Sequence, residues 1–446
     1  MRLPAALAAV AVVCACSGTG GSGAAPASPL VSASPSAARS ATPSALSSPE
    51  PAAQALAVYD GPALSLGLHL VTLVAITGPP GPWDRQAGPS QVAKVVASVP
   101  AAYRTWRPRP DDVGPIELPY VSTSSSTVYF LDGDATLRSL SLKGAVKSVE
   151  TLPGDFARRV AFAVSPDDKR IAVAVIDYSP ARASAARATE GQPAPALQLY
   201  VEDLGGGHRV SVFESSGLYY WPVGWHNGKI VLAGGPALTR NYLPLNPYSA
   251  SRYFLIDAML GSKPVALGTG DCAPTGAITS AGTACVSDPG LPCTGSFAAT
   301  SGGTDWYTSC LRKLDWSGVE TNFLMARYYL TKLTVTQAAL SSDGGVILTD
   351  GYFLIKAPVD GHGDWQNQFG MPPPAAPERP GMGWIDAYHL SMMYVQSNGT
   401  GFQRILRFTP DREEIVNVVF DGYPVLNGVA TSPFTGQLLG TVPGGL

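Results

Sequence analysis

The sequence predicts an all-β protein of the β-propeller type, on three observations. One strand–turn–strand pattern recurs along the chain, about four strand candidates fall in each repeat, and turn-forming residues are abundant. The 446 residues include 48 Gly and 40 Pro, a usage that favours many short strands joined by tight turns over long helices. Hydrophobic residues make up 45% and charged residues only 14%, which permits a large core under a surface of Ser, Thr, Gly and amides. The net charge of -3 comes without any basic stripe, so nucleic acid is not an expected partner.

The clearest copy of the repeat spans 160–175, where Val-Ala-Phe-Ala-Val leads through Ser165-Pro-Asp-Asp-Lys-Arg into Ile-Ala-Val-Ala-Val. Further copies lie at 119–131, 339–348 and 428–439, and weaker ones at 223–232, 276–286 and 383–392. Each is a β-hairpin in composition: apolar runs flanking Pro-Asp, Asn-Gly or Asp-Gly turn chemistry. Two more strand candidates follow most copies, as at 197–202 and 209–213, then at 252–257 and 264–267. Units of four strands at a spacing of roughly 43 to 61 residues have the layout of propeller blades. The hairpin at 428–439 has no third and fourth strands after it, whereas 64–75 and 91–99 are strands with no hairpin before them. Joining the two chain ends gives an expected count of seven four-stranded blades closed by N- and C-terminal strands. Two β-sandwich domains are the structural rival, and the phase of the repeat argues against them.

The Ser165-Pro-Asp-Asp-Lys-Arg-Ile-Ala stretch resembles the blade motif of TolB-type and WD-repeat-like propellers, in which a Ser-Pro-Asp-Gly-Lys turn joins the inner two strands. The resemblance covers about residues 116–442 in pattern and is specific over a dozen residues.

The N-terminus carries Arg2, then an apolar run to Ala15 that is too short to span a membrane as a helix. It ends in Val13-Cys14-Ala15-Cys16, which resembles the lipobox of bacterial lipoproteins and implies cleavage before a lipid-bearing Cys16. Residues 17–55 are almost wholly Ser, Ala, Pro, Gly and Thr, so they are expected to form a disordered tether with a reach of about 35 Å. The expected organisation is therefore a signal peptide over 1–16, a tether over 17–55 and a propeller over 56–446. It places the domain outside the cell membrane, anchored there by an N-terminal lipid.

In an exported domain Cys272, Cys285, Cys293 and Cys310 are disulfide candidates. The blade layout favours Cys285–Cys310 with Cys272–Cys293, and nearest-neighbour pairing stays open beside it. No Cys-x-x-Cys accompanies them and no His is near, so no metal or other cofactor is expected. Asp167, Asp168 and Asp343 fall in the repeated turn, where Asp side chains bond to backbone amides. Asp386 and His389 are candidate channel residues, on the resemblance to propeller hydrolases that gather carboxylates and His at the channel. The long connections between second and third strands are expected on one face of the ring. Among them 235–251 offers Arg240, Asn241, Tyr242 and Tyr248 as a candidate binding face. No Gly-x-Ser-x-Gly elbow occurs. The expected role is therefore a non-enzymatic binding module for an unidentified protein or glycan, ahead of a hydrolase or lyase on an exported sugar, lactone or peptide.

Overall fold

The structure is a computed structural model. It describes residues 55–62, 69–77, 91–103, 113–179, 195–240, 246–270, 272–287, 311–323, 337–343, 346–349, 353–357, 369–370, 382–395, 401–408, 415–423, 425–426, 429–430, 436–444 and 446. The expected signal peptide with Cys16 and the expected tether, up to residue 54, lie outside the described residues.

Period-two alternation and tight turns yield antiparallel meanders of four strands. Residues 158–215 are representative. Arg158–Val164 pairs with Arg170–Asp177, then come Ala196–Asp203 and Val210–Ser215. Meanders of the same form span 121–151, 219–266, 272–323 and 337–370. A larger sheet contains the meander 383–420 and a closing group of four strands. In the closing group Gln437–Val442 pairs with Ala55–Pro62, followed by His69–Thr77 and Val92–Ala101. A short parallel pairing of Val419 and Phe420 with Val92 and Ala93 joins the two groups.

The first strands stand side by side around an axis. Val121–Thr123 packs on Arg158–Val164, and that strand on Tyr219–His226. Arg252–Ile256 of this third meander then meets Cys272–Thr279. From there contact passes to Gln337–Leu340, to Gly383–Trp384 and His389–Val395, to Gln437–Val442 and back to Val121–Thr123. This is a closed ring of radial sheets, a β-propeller.

Closure uses both chain ends, with a different division of strands from the one expected. The C-terminal side supplies one strand and the N-terminal side three. Val429–Ala430 pairs with Val425–Leu426, so the expected hairpin across Ser432 is replaced. Gln437–Val442 instead takes Ala55–Pro62 as its partner, through five residue pairs split by a bulge between Val58 and Tyr59.

The alternation in the clearest repeat sets how neighbouring sheets pack. Val160, Phe162, Val164, Ile171 and Val173 point toward the 121–151 sheet, in a cluster with Val128, Phe130 and Leu137. The intervening Ala161, Ala163, Ala172 and Ala174 point the other way, in a cluster with Trp221 and Trp225. The small face makes room for the indoles, and Trp225 Nε1–H donates to Ala163 O at 2.9 Å. Trp384 repeats the arrangement between the 337–370 and 383–420 meanders, donating to Ala339 O at 3.1 Å.

In the clearest turn the backbone amides go mainly to Ser165 and, at 3.4 Å, to Asp167, whereas Asp168 bonds side-chain hydroxyls in place of the expected amides. Ser165 Oγ accepts the amides of Lys169 and Arg170 and donates to Asp167, and Ser341 donates to Asp343 in the same way. Asp168 stands at φ 57°, a left-handed position that Asp tolerates and Gly favours. Its carboxylate accepts Tyr129 Oη at 2.9 Å and Ser126 Oγ at 3.2 Å from the adjacent sheet.

If the alanine face exists to receive Trp225, filling it is costly. Ala163→Leu should lower unfolding stability by about 1–3 kcal/mol through overpacking, while Lys169→Ala on the exposed turn should change it by less than about 0.5 kcal/mol. Denaturant unfolding checks both. An Ala163→Leu protein as stable as the wild type would contradict this packing.

Candidate functional site

The hairpin turns between first and second strands mark one face of the ring, the turn face, and the opposite ends of those strands mark the other, the loop face. The axis encloses a cavity of about 400 Å³. Its wall is made by the first strands and their turns, through Thr123, Val164, Trp225, Ile278, Ile385 and Thr441 among others. Ser280, Ser342 and the hydroxyl-bearing Ser122 and Thr279 add polar groups. Asp386 is the one charged side chain among the lining residues.

Tyr248 closes the loop-face end. Its loop is folded back by Asn246, whose Oδ1 accepts the amides of Tyr248 and Ala250 and whose Nδ2 donates to Ala250 O and Pro274 O. Tyr248 is thereby buried on the axis, where its hydroxyl donates to Leu439 O at 3.3 Å and burial pushes its pKa up. Trp221 Nε1–H donates to Tyr248 O at 2.7 Å, and Ser249 Oγ to Glu117 O at 2.6 Å. Tyr248 is thus a plug and not part of an exposed binding face. The reason is the Asn246 turn, which satisfies the loop's backbone internally and frees the ring to be buried.

Among the described residues, the turn-face end is covered on one side. Gly444 N–H donates to Ser124 O at 2.6 Å and Leu446 N–H to Trp225 O at 3.1 Å. The Leu446 side chain lies against Gly224, where a Cβ would come within 2.5 Å of it. Segment 443–446 therefore runs over the 121–226 side of the opening. Exposed Ser280 and Ser342 and the half-exposed Asp386 border the other side.

Asp386 lies in the turn that leads from Gly383–Trp384 into His389–Val395, and that turn brings it to His389, the first residue of the second strand. Asp386 Oδ1 accepts the amides of Tyr388 and His389 at 2.7 and 2.8 Å, and Oδ2 lies 2.8 Å from His389 Nδ1. The buried imidazole ends in a second contact, Nε2 to Gln91 Oε1 at 2.8 Å. Burial pushes the Asp386 carboxyl up, but its bonds to His389 and to the two amides outweigh this and hold it below the ordinary carboxylate value. Of its side chain 34% is exposed, so an ionised carboxylate faces the cavity while the imidazole behind it is fixed between two partners. Beneath lies a second buried polar group, in which Tyr59 Oη donates to Ser391 Oγ at 2.8 Å and Gln403 Nε2 to the same oxygen at 2.5 Å. Gln91, Tyr59, Ser391 and Gln403 were not legible as partners, because they meet across as many as 332 residues of sequence.

The other expected site residues divide as follows. Arg240 ends the short strand Leu238–Arg240, which pairs with Val113–Pro115; its side chain, Asn241 and Tyr242 lie outside the described residues. The disulfide is Cys272–Cys285, with Cα atoms 5.1 Å apart, which replaces the favoured Cys285–Cys310 and Cys272–Cys293 pairs. The hairpin register sets Cys272 opposite Ser287 and Pro274 opposite Cys285, so the two thiols are diagonal neighbours on one hairpin. Cys293 and Cys310 lie outside the described residues. The loop face also bears a groove of about 590 Å³ lined by Leu218, Tyr219, Tyr220, Leu238 and Phe254. Tyr220 packs edge-on to Phe254 at 4.8 Å.

No family model matches the chain, and no curated protein matches it. Among solved structures it is similar to apo prolyl oligopeptidase B from Galerina marginata, at 9% identity and a TM-score of 0.37, over 77% of this chain and 44% of that one. It is also similar to an acylaminoacyl peptidase in complex with Z-Gly-Gly-Phe-chloromethyl ketone, at 10% identity and a TM-score of 0.39, over 81% of this chain and 52% of that one. Both are propeller-containing proteins, and the chain spans only about half the length of each. At these identities and scores the likeness assigns no activity to this chain.

A lowered carboxyl pKa contributes stability that is fully present above the unfolded value and is lost as pH falls through the folded one. The stability gap between wild type and Asp386→Asn should therefore be constant near neutrality and close below about pH 4. Urea melts across pH 2.5 to 7 measure it. A gap that stays constant to the acid limit would contradict the ionised role of Asp386.

Proposed function

We propose that this chain is an exported, lipid-anchored, seven-bladed β-propeller that works as a binding module and takes a small ligand in its axial cavity. The cavity carries the reading. Its volume of about 400 Å³ falls in the range of small-molecule sites, and a mostly apolar wall with a few placed polar groups is the composition such sites have. Among the described residues, Tyr248 closes the loop face and Gly444 and Leu446 partly cover the turn face, which leaves an approach past Ser280, Ser342 and Asp386. The count of seven takes each four-stranded meander and the closing group as one blade. Anchoring rests on the lipobox at Cys16 and the low-complexity tether, which holds the domain clear of the surface it is fixed to.

A hydrolase or lyase reading draws support from the Asp386–His389 contact. Against it, both ring nitrogens of His389 are engaged within the fold, which suits a positioning role better than proton transfer. The aromatic groove on the loop face supports a third reading, recognition of a protein or glycan.

The test is a thermal-shift screen of a small-molecule library against wild type and Ile278→Trp, which fills the cavity from its wall. A bound ligand at 100 times its Kd adds about 2.7 kcal/mol, enough to raise Tm visibly. Hits abolished by Ile278→Trp are expected. Hits that survive it and disappear in Tyr219→Ala would place recognition at the loop-face groove, and turnover of a hit would favour the enzyme reading. For the anchor, globomycin should cause the precursor to accumulate, and Cys16→Ala should release the protein from membranes; an unaffected precursor would overturn the lipid assignment.

A further inference from the structure

We infer that the ligand of the axial cavity is a small organic cation, an ammonium or guanidinium compound, and that Asp386 is its counter-ion. The inference rests on the cavity reading and goes beyond it to the chemical class. Among the described residues that line the cavity, Asp386 is the one with an ionisable side chain; the other side chains are hydroxyls, aromatics, aliphatics, Gly and Pro. A single carboxylate in a partly enclosed, largely apolar wall attracts a cation more strongly than the same group on open surface, because less water screens it.

The carboxylate is built to stay ionised and in place. The amides of Tyr388 and His389 and the ring of His389 hold it in the turn, and the side chain, 34% exposed, lines the cavity. Three donors, two amides on Oδ1 and the His389 ring shared with Oδ2, occupy a group that has about four acceptor positions, so capacity remains for a donor arriving from the cavity. The surrounding hydroxyls of Ser280, Ser342 and Thr441 are each able to accept a further N–H, which an ammonium with three donors or a guanidinium with five requires. An anion would meet the carboxylate's repulsion with no cationic side chain in the wall to offset it. A dedicated metal site would need more protein ligands: among the described residues no group of three or more His, Cys, Asp and Glu could hold an ion.

The uncovered side of the turn-face opening agrees with this assignment. Gly444 and Leu446 bond to Ser124 and Trp225, and among the described residues no bond of theirs is to Ser280, Ser342 or Asp386. A cation entering there meets its counter-ion at the rim and carries its apolar part inward toward Ile278, Ile385 and Leu439.

Calorimetric titration of the full mature protein with spermidine, choline, agmatine and phenethylamine tests the class, with glycerol, benzyl alcohol and phenylacetate as neutral and anionic controls. At least one cation is expected to bind, and Asp386→Asn should weaken it by about tenfold or more, equivalent to 1.4 kcal/mol. Since Asp386 also holds its turn, Ser342→Lys provides a second variant: it sets a cation in the same wall, leaves the turn intact and should weaken the same ligand while admitting phenylacetate. Binding of a control compound that Ile278→Trp removes and Asp386→Asn spares would overturn the cation assignment and keep the cavity reading. No binding of any probe, charged or neutral, would overturn both.

Discussion

Everything in this molecule depends on the pairing of Gln437–Val442 with Ala55–Pro62. Without it the ring has two free sheet edges, and an unpaired edge is a template for the wrong partner. The pairing joins segments some 380 residues apart, so its loop-closure cost is met only once the intervening sheets are in place. Tyr120, which leads into the neighbouring sheet, donates to Asp60 at 2.7 Å, and Asp60 lies at 2.7 Å from His69 Nδ1. This cluster, with Tyr103 stacked on Tyr120 at 4.5 Å, fixes the closing group to its neighbour on the loop side. The cavity follows from closure: Leu439 supplies the carbonyl that receives Tyr248, and segment 443–446 is delivered to the turn face by the same strand.

Packing between sheets then sets the cavity's wall. The Val-Ala-Phe-Ala-Val alternation gives one sheet a large face and a small face, and the small face admits Trp225. An indole buried this way holds the first strand of the next sheet in register through its bond to Ala163 O, and Trp225 in turn lines the cavity. The wall is therefore shaped by choices made in the interfaces behind it.

The hairpins were legible in the sequence because turn chemistry and period two agree there, as at 160–175, where the strands run close to the expected residues. The strand Ala55–Pro62 was not, because Ala-Leu-Ala-Val follows an Ala-rich tether without any turn signal to mark its start. The 428–439 hairpin looked sound locally, and its second strand was claimed by that unseen partner. Disulfide pairing turned on hairpin register, which spacing alone does not reveal. Tyr248 looked like a surface aromatic because its loop is long; the Asn246 turn that buries it is a side-chain effect. Asp386 and His389 were legible as a pair because three residues across one turn keep them close, whereas Gln91 lies 298 residues away.

Hydrogen exchange on the closing strands tests this account most directly. If the ring closes through both chain ends, the amides of 56–59 and 438–442 exchange together, and only at the rate of global unfolding. Exchange of 438–442 well ahead of 56–59 and of the 160–164 strand would show that the C-terminal strand is not part of the cooperative ring.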